Sequence, residues 1–350
     1  MITDRAQPQG QAPVATESDW ERAVRTLDGA ADICLACHIR PDADALGSML
    51  AVAHALRSRN GAARPRVIAS FGDQPFVIPR NLRFLPGTDL LSPPGEYPAE
   101  PEVMVTFDAA SADRLGLLQA SAARARELIV VDHHMSNTGF GTLNLVDPEA
   151  AATAVLAFDL IGRLGVGLSR SIAFGLYAGL VTDTGSFKYS TTTPRVHELA
   201  AQLLRTGIEP GAVAQKLWDS APFGFLGLLS AVLGRALLEP DAAAGQGLVW
   251  TTVTRADRAR HALPLDAAES VIDVLRRTDE AEVAMVLKED DAGHWQVSAR
   301  SKGQIDVGRA CVALGGGGHP RAAGFTSLGT VAETMAALRQ HLTGGPADGR

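Results

Sequence analysis

Four apolar runs of strand length, at residues 33–37, 66–69, 103–107 and 128–131, alternate with helix-like stretches in the first part of the chain. Runs this short and apolar suit strands buried on both faces, and parallel pairing of such strands needs helical crossovers between them. The alternation therefore points to α/β architecture, a parallel sheet covered by helices on both sides. In such sheets ligands gather beyond the carboxyl ends of the strands. Three of the four runs end there in a group that can bind a cation: His38, Asp108 and Asp132.

Further helices are expected at 20–27, 44–56, 150–164, 171–181 and 195–205, with a loop rich in Pro and Gly at 74–101. A second pattern follows a helix-like stretch at 223–238 and a break at 239–247. It has strands at 248–253, 283–287 and 295–299 and helices at 266–276, 307–314 and 331–341. The expected organisation is a mobile tail at 1–16, a larger α/β domain at 17–215, a helical linker at 216–245 and a smaller α/β domain at 246–345, with a cleft between the domains. A length of 350 residues favours two cores over one. With 46% hydrophobic and 20% charged residues, extended disorder is excluded. The net charge of −7 supplies no basic field for long duplex nucleic acid. No apolar stretch is long enough to span a bilayer, residues 1–18 lack the core of a secretory signal, and three cysteines are too few for a disulfide framework. A cytoplasmic protein without a membrane partner is the expectation.

The chemistry concentrates at four breaks. His38-Ile39-Arg40-Pro41-Asp42-Ala43-Asp44 lies between the first strand and its helix. Asp108 follows the third strand, Asp132-His133-His134 follows the fourth, and Asp183 closes an apolar helix. Any one of these aspartates reads equally well as a helix cap or a strand terminus. Jointly they do not, because caps have no need of His38, His133 and His134 at the same breaks. Carboxylates crowded at element ends repel and desolvate one another unless a cation neutralises them. Asp and His without thiolate suit Mn²⁺ or Mg²⁺ better than a structural zinc.

In this order the four clusters resemble the DHH phosphoesterase superfamily. The run Gly315-Gly316-Gly317-Gly318-His319-Pro320-Arg321-Ala322-Ala323-Gly324, preceded by Ser298-Ala299-Arg300-Ser301, resembles the DHHA1 domain that often follows it. The pairing is most similar to the bacterial nanoRNases, oligoribonucleases that are also 3′-phosphoadenosine-5′-phosphate (pAp) phosphatases, a group in which cyclic di-AMP phosphodiesterase activity also occurs. The resemblance implies two Mn²⁺ ions, replaceable by Mg²⁺ or Co²⁺. His38, Asp42 and Asp108 would hold one, and Asp44, Asp108, His133 and Asp183 the other, with Asp108 bridging. His134 would face the scissile phosphate while Asp132 orients the histidines. Arg300, Ser301, Gly317, Gly318, His319 and Arg321 would bind substrate: short RNA, or a linear or cyclic dinucleotide. A homodimer is implied as well.

Phosphodiester hydrolysis needs an activated oxygen nucleophile and relief of charge on the leaving oxygen, and a pair of divalent cations serves both needs. Whether His134 protonates the leaving oxygen or only neutralises the phosphate stays open on the sequence. Glycines at 315–318 allow a backbone to approach an anion closely, although a turn after a helix reads the same way. Three rivals remain: an inorganic pyrophosphatase of the same superfamily, a processive single-strand exonuclease, and a non-catalytic nucleotide sensor. Cys34-Leu35-Ala36-Cys37-His38 matches a haem-attachment pattern, but on a strand residues three apart face opposite ways, so the two thiols read as buried apolar groups.

Overall fold

The computed structural model describes residues 14–59 and 65–342. Most of the expected tail, 1–13, and the last residues of the expected second domain, 343–345, lie outside the described residues. The chain divides into two compact units between Ser220 and Ala221.

In the first unit β1 (Asp32–Cys37), β2 (Arg66–Phe71), β3 (Val103–Phe107), β4 (Glu127–Asp132) and β5 (Leu143–Val146) form a wholly parallel sheet, ordered β2-β1-β3-β4-β5. The strand order reverses between β1 and β3, the point at which open α/β sheets offer a crevice. The helices are α1 (Glu17–Gly29), α2 (Ala43–Ser58), α3 (Gln119–Arg124), α4 (Thr153–Arg163), α5 (Arg170–Asp183), α6 (Pro194–Leu204) and α7 (Pro210–Leu217). The larger core, on one face of the sheet, includes Trp20, Leu46, Met49, Leu160, Leu176 and Leu180. A smaller one on the other face gathers Tyr97, Leu115, Leu118 and Ala122. Cys37 belongs to the first and Cys34 to the second, as the alternation along a strand requires. The loop at 74–101 is not shapeless. It holds three 3-10 turns, buries Leu82 and Leu85, and is pinned to β2 by Ser92 N donating to Ala69 O (2.9 Å).

α2 is buried on nearly all sides because its residues are small, and α5 crosses it at a glycine pair. A Cβ on Gly47 would fall 2.4 Å from Gly175 O, and one on Gly175 would fall 2.6 Å from Gly47 O. Further along α5, a Cβ on Gly179 would lie 2.5 Å from Asp44 Oδ1. Glycine at these positions brings the start of α2 and the end of α5 together.

The second unit begins with α8 (Gly224–Leu233), whose Leu228 and Val232 enter its core, so residues 221–245 of the expected linker are part of this unit's fold. The chain continues through β6 (Leu237–Glu239), a single turn α9 (Ala242–Gly245), β7 (Leu248–Val253), α10 (Arg255–Arg260), α11 (Val271–Leu275), β8 (Val283–Glu289) and β9 (Trp295–Ser301). It ends with α12 (Val307–Ala313), β10 (Gly317–His319), β11 (Ala322–Ser327) and α13 (Val331–His341). Its mixed sheet is ordered β10-β11-β9-β8-β7-β6, with only β7 and β8 parallel. Three expectations are corrected. The helix at 223–238 stops at Leu233 and Leu237 pairs with Trp250; the helix at 266–276 is a 3-10 turn followed by α11; and residues 317–319 of the glycine run are an edge strand, not a loop. Glycines carry no alternation of side chains, so that strand leaves no periodic trace. Among the described residues no helix is long and apolar enough to cross a membrane.

Candidate metal centre

The candidate ligands converge because the elements that carry them end together. His38 follows β1, Asp108 follows β3, Asp132 is the last residue of β4, and Asp183 is the last of α5. Asp42 is also the N-cap of α2, its Oδ1 accepting from Asp44 N (2.9 Å) and Ala45 N (3.0 Å). Asp108 sits in the left-handed region at φ +58, held by its amide donating to Val131 O (3.0 Å). Aspartate tolerates that conformation better than most residues, at some cost in backbone strain.

Ligand atoms gather as His38 with Asp42 and Asp108, as Asp44 with His133 and Asp183, and as Asp108 with Asp132 and His134; within each group the atoms lie within 4.8 Å of one another. The first two are the groups expected to hold cations. One carboxylate faces both. Asp108 Oδ2 is 3.4 Å from His38 Nε2, and Asp108 Oδ1 is 3.5 Å from His133 Nε2. His133 Nε2 also lies 3.1 Å from Asp183 Oδ2 and 3.9 Å from Asp44 Oδ2. Each imidazole is oriented from behind by a backbone carbonyl: His38 Nδ1 by Ile39 O (2.8 Å) and His133 Nδ1 by Ala150 O (3.1 Å). A carbonyl can only accept, so Nδ1 carries the hydrogen and Nε2 is the atom turned to the carboxylates.

The carboxylates strongly perturb one another. Burial, then Asp183 and Asp108, push the Asp44 carboxyl far above its usual range. Burial pushes Asp183 up to about 6, with His133 opposing and Asp42 and Asp108 adding. Burial also disfavours the charged form of Asp108, but the His38 hydrogen bond and the charges of His134 and His133 hold it well below the usual carboxylate range. His133 is raised far above its ordinary value because Asp183, Asp108 and Asp44 outweigh its burial. Hard oxygen donors with two imidazoles, buried except for the exposed Asp42 and the partly buried Asp183, fit a divalent cation of the Mn²⁺ or Mg²⁺ kind.

The surroundings add residues that the sequence reading lacks. Asp44 Oδ2 accepts from Thr153 N (2.6 Å) and Oδ1 from Ala154 N (2.9 Å) and Ser48 Oγ (3.2 Å), so Asp44 caps α4 from more than a hundred residues upstream. Thr153 Oγ1 donates to Asp108 Oδ1 (2.8 Å). His134 Nδ1 donates to Asp132 Oδ1 (2.7 Å), and Asp132 Oδ2 accepts from Asn137 Nδ2 (2.6 Å). Asp132 thus orients His134, whereas the Ala150 carbonyl orients His133. A threonine opening a helix and a lone asparagine carry no cation-binding signature, which is why neither stood out.

In the second unit Arg300 lies on β9, its Nη1 donating to Ala299 O (2.9 Å). Gly317, Gly318 and His319 form β10, followed by the turn that carries Arg321. Gly318, at φ +133, is required by packing, since a Cβ would lie 2.5 Å from Ala322 O, whereas Gly317 has open space. Ser301 is buried, and its hydroxyl donates to Glu282 Oε1 (2.8 Å) and accepts from Gly303 N (2.9 Å). That hydroxyl braces the end of β9.

Residues 32–180 match the DHH family, N-terminal domain, and residues 252–343 match the DHHA1 domain. Over 338 residues the chain is 31% identical to the bifunctional oligoribonuclease and PAP phosphatase NrnA of Thermus thermophilus, covering 93% of this chain and 95% of that one. The chain belongs to the DHH family. A second relative, the cyclic-di-AMP phosphodiesterase GdpP of Geobacillus thermodenitrificans, is 25% identical over 91% of this chain and 48% of its own length. The crystal structure of an exopolyphosphatase-related protein from Bacteroides fragilis shares the fold, with a TM-score of 0.81 at 24% identity over 95% of this chain and 97% of that one.

Proposed function

We propose that this DHH protein is a cytoplasmic, homodimeric, Mn²⁺-dependent hydrolase of phosphoester bonds. Its substrates are short oligoribonucleotides and linear or cyclic dinucleotides such as cyclic di-AMP, cut to mononucleotides, together with the 3′-phosphate of pAp. The observation that carries the reading is the Asp108 carboxylate, with one oxygen toward each ligand group. His38, Asp42 and Asp108 would hold one cation, and Asp44, Asp108, His133 and Asp183 the other. Bound there, paired divalent cations supply Lewis acidity, making water a better nucleophile and offsetting phosphoryl charge. The names of the NrnA and GdpP relatives support the substrate class.

The chain's own residues do the rest. Asp108 keeps the two groups in register, fixed by Thr153 and by its own constrained backbone. His134 is pulled toward its protonated form by Asp132, which outweighs the effect of burial. With Nδ1 bound to Asp132, its Nε2 is the atom that delivers a proton to the leaving oxygen. In the second unit Arg300, His319 and Arg321 supply charge for the nucleotide, while Gly317 and Gly318 offer the backbone of an edge strand, unpaired on one side within its sheet.

The test is turnover of pyrophosphate, a short oligoribonucleotide, cyclic di-AMP and pAp, each with Mn²⁺ and with chelator. Hydrolysis of the nucleotides with Mn²⁺ alone is expected, and Asp108→Ala should reduce it to background. Cleavage restricted to pyrophosphate would transfer the protein to phosphoanhydride chemistry, and nucleotide binding without turnover would make it a sensor.

A further inference from the structure

Two arginines beside the metal centre take no part in the chemistry above. Arg40 lies between His38 and Asp42 in the turn leaving β1, at φ +53, its amide donating to Asp73 Oδ2 (2.7 Å). The neighbouring amide, Ile39 N, donates to Arg114 O (2.8 Å), which ties this turn to the 3-10 segment Ala112–Leu118 after β3. That segment is clamped in turn to the exit of β2. Leu117 N donates to Gly72 O (3.0 Å), and Gly116, at φ +55, has no room for a Cβ, which would fall 2.4 Å from Ile39 Cγ2. The backbone positions of Arg40 and Arg114 are therefore set by the loops that present His38, Asp42 and Asp108.

Neither guanidinium forms a hydrogen bond or an ion pair with any described residue. Arg114 is partly buried, and burial first, then Arg40, hold it below its ordinary range, against the pull of Asp108, Asp113 and Asp42. A half-buried cation with no acceptor among the described residues, and repelled by a second arginine, is a costly arrangement that an anion relieves. A metal cation at His38, Asp42 and Asp108 would sharpen the repulsion unless a negative group lay between it and the guanidinium. The planar fork of arginine matches two oxygens of a phosphoryl group.

We propose that Arg114 is a phosphoryl-binding residue of this enzyme, donating to the non-bridging oxygens of the phosphate that sits at the His38, Asp42 and Asp108 group, with Arg40 adding charge from its exposed side. The proposal rests on the hydrolase reading only in taking that phosphate to be a nucleotide's.

Titration calorimetry on the Mn²⁺-loaded full chain tests it, with adenosine 5′-monophosphate as the probe and adenosine as the control lacking phosphate. Arg114→Gln should weaken the monophosphate roughly 10- to 100-fold and leave adenosine and the bound Mn²⁺ unchanged. Arg114→Lys, which keeps the charge and loses the fork, should fall between, and Arg40→Gln should weaken the monophosphate by a smaller factor. Unchanged monophosphate binding in Arg114→Gln overturns the proposal, and so does loss of Mn²⁺ from that variant, which would make Arg114 a support of the ligands. If Arg114→Gln does not fold, wild-type monophosphate affinity in both Arg114→Lys and Arg40→Gln overturns it instead. A wild-type chain that binds the monophosphate through Arg114 yet cleaves no nucleotide would sink the hydrolase reading and leave the phosphoryl site standing.

Discussion

Asp183 carries the clearest pH dependence in the molecule. Its carboxyl is pushed up to about 6, chiefly by burial, and a cation can bind it only after that proton leaves. His133 is raised as well and must also release a proton to become a ligand. Mn²⁺ affinity should therefore fall as pH drops through about 6 and keep rising above it, with protons released on binding. Calorimetry in buffers of different ionisation enthalpy reads both effects, and an affinity flat from pH 5 to 7 would contradict the assignment. At this scale the sequence marks a residue when its type is unusual for its place. His38, Asp42, Asp44, Asp108, His133 and Asp183 stand at element breaks, and the structure brings their side chains together. Thr153 and Asn137 touch the same carboxylates, but their residue types are ordinary where they stand. Contact across 45 residues, as between Thr153 and Asp108, has no local signature.

Helices α2 and α5 meet where neither has a side chain, and this crossing sets the spacing of Asp44 and Asp183. Gly47→Ala or Gly175→Ala should cost about 1–3 kcal/mol in denaturant unfolding and weaken Mn²⁺ binding, because the new Cβ meets fixed backbone. Gly162→Ala on α4 is the contrast. Nothing lies within 4 Å of its Cβ, so the same change should stabilise by about 0.4–1 kcal/mol. Equal effects at 47 and 162 would mean that the crossing is softer than its geometry states. Strands β1, β3 and β4 were readable because each is a continuous apolar run buried on both faces. β5, four residues interrupted by Asn144, and β10, mostly glycine, were not, since pairing with neighbours and not their own pattern makes them strands. The end of α8 was overrun for a related reason, because Leu237 and Leu238 are apolar but belong to an edge strand.

Each unit has apolar cores of its own, and His38, Asp42, Asp44, Asp108, His133 and Asp183 all lie in the first. Metal binding is then linked to the stability of that unit. At a hundredfold excess over its dissociation constant, a bound cation adds about 2.7 kcal/mol. Mn²⁺ should raise the melting temperature of the first unit, chelator should reverse the rise, and Asp108→Ala should abolish it. A melting curve indifferent to Mn²⁺ would contradict a cation site in this unit.

The placing of Cys34 and Cys37 on opposite faces of β1 has a practical corollary. Both are shut away from solvent, as is Cys311, and burial lifts the thiols of Cys34 and Cys311 to about 11 and about 12. Almost no thiolate is present at neutral pH to meet peroxide or an alkylating reagent. Oxidants and alkylators that disable enzymes through surface sulfhydryls would find no such target in these three thiols.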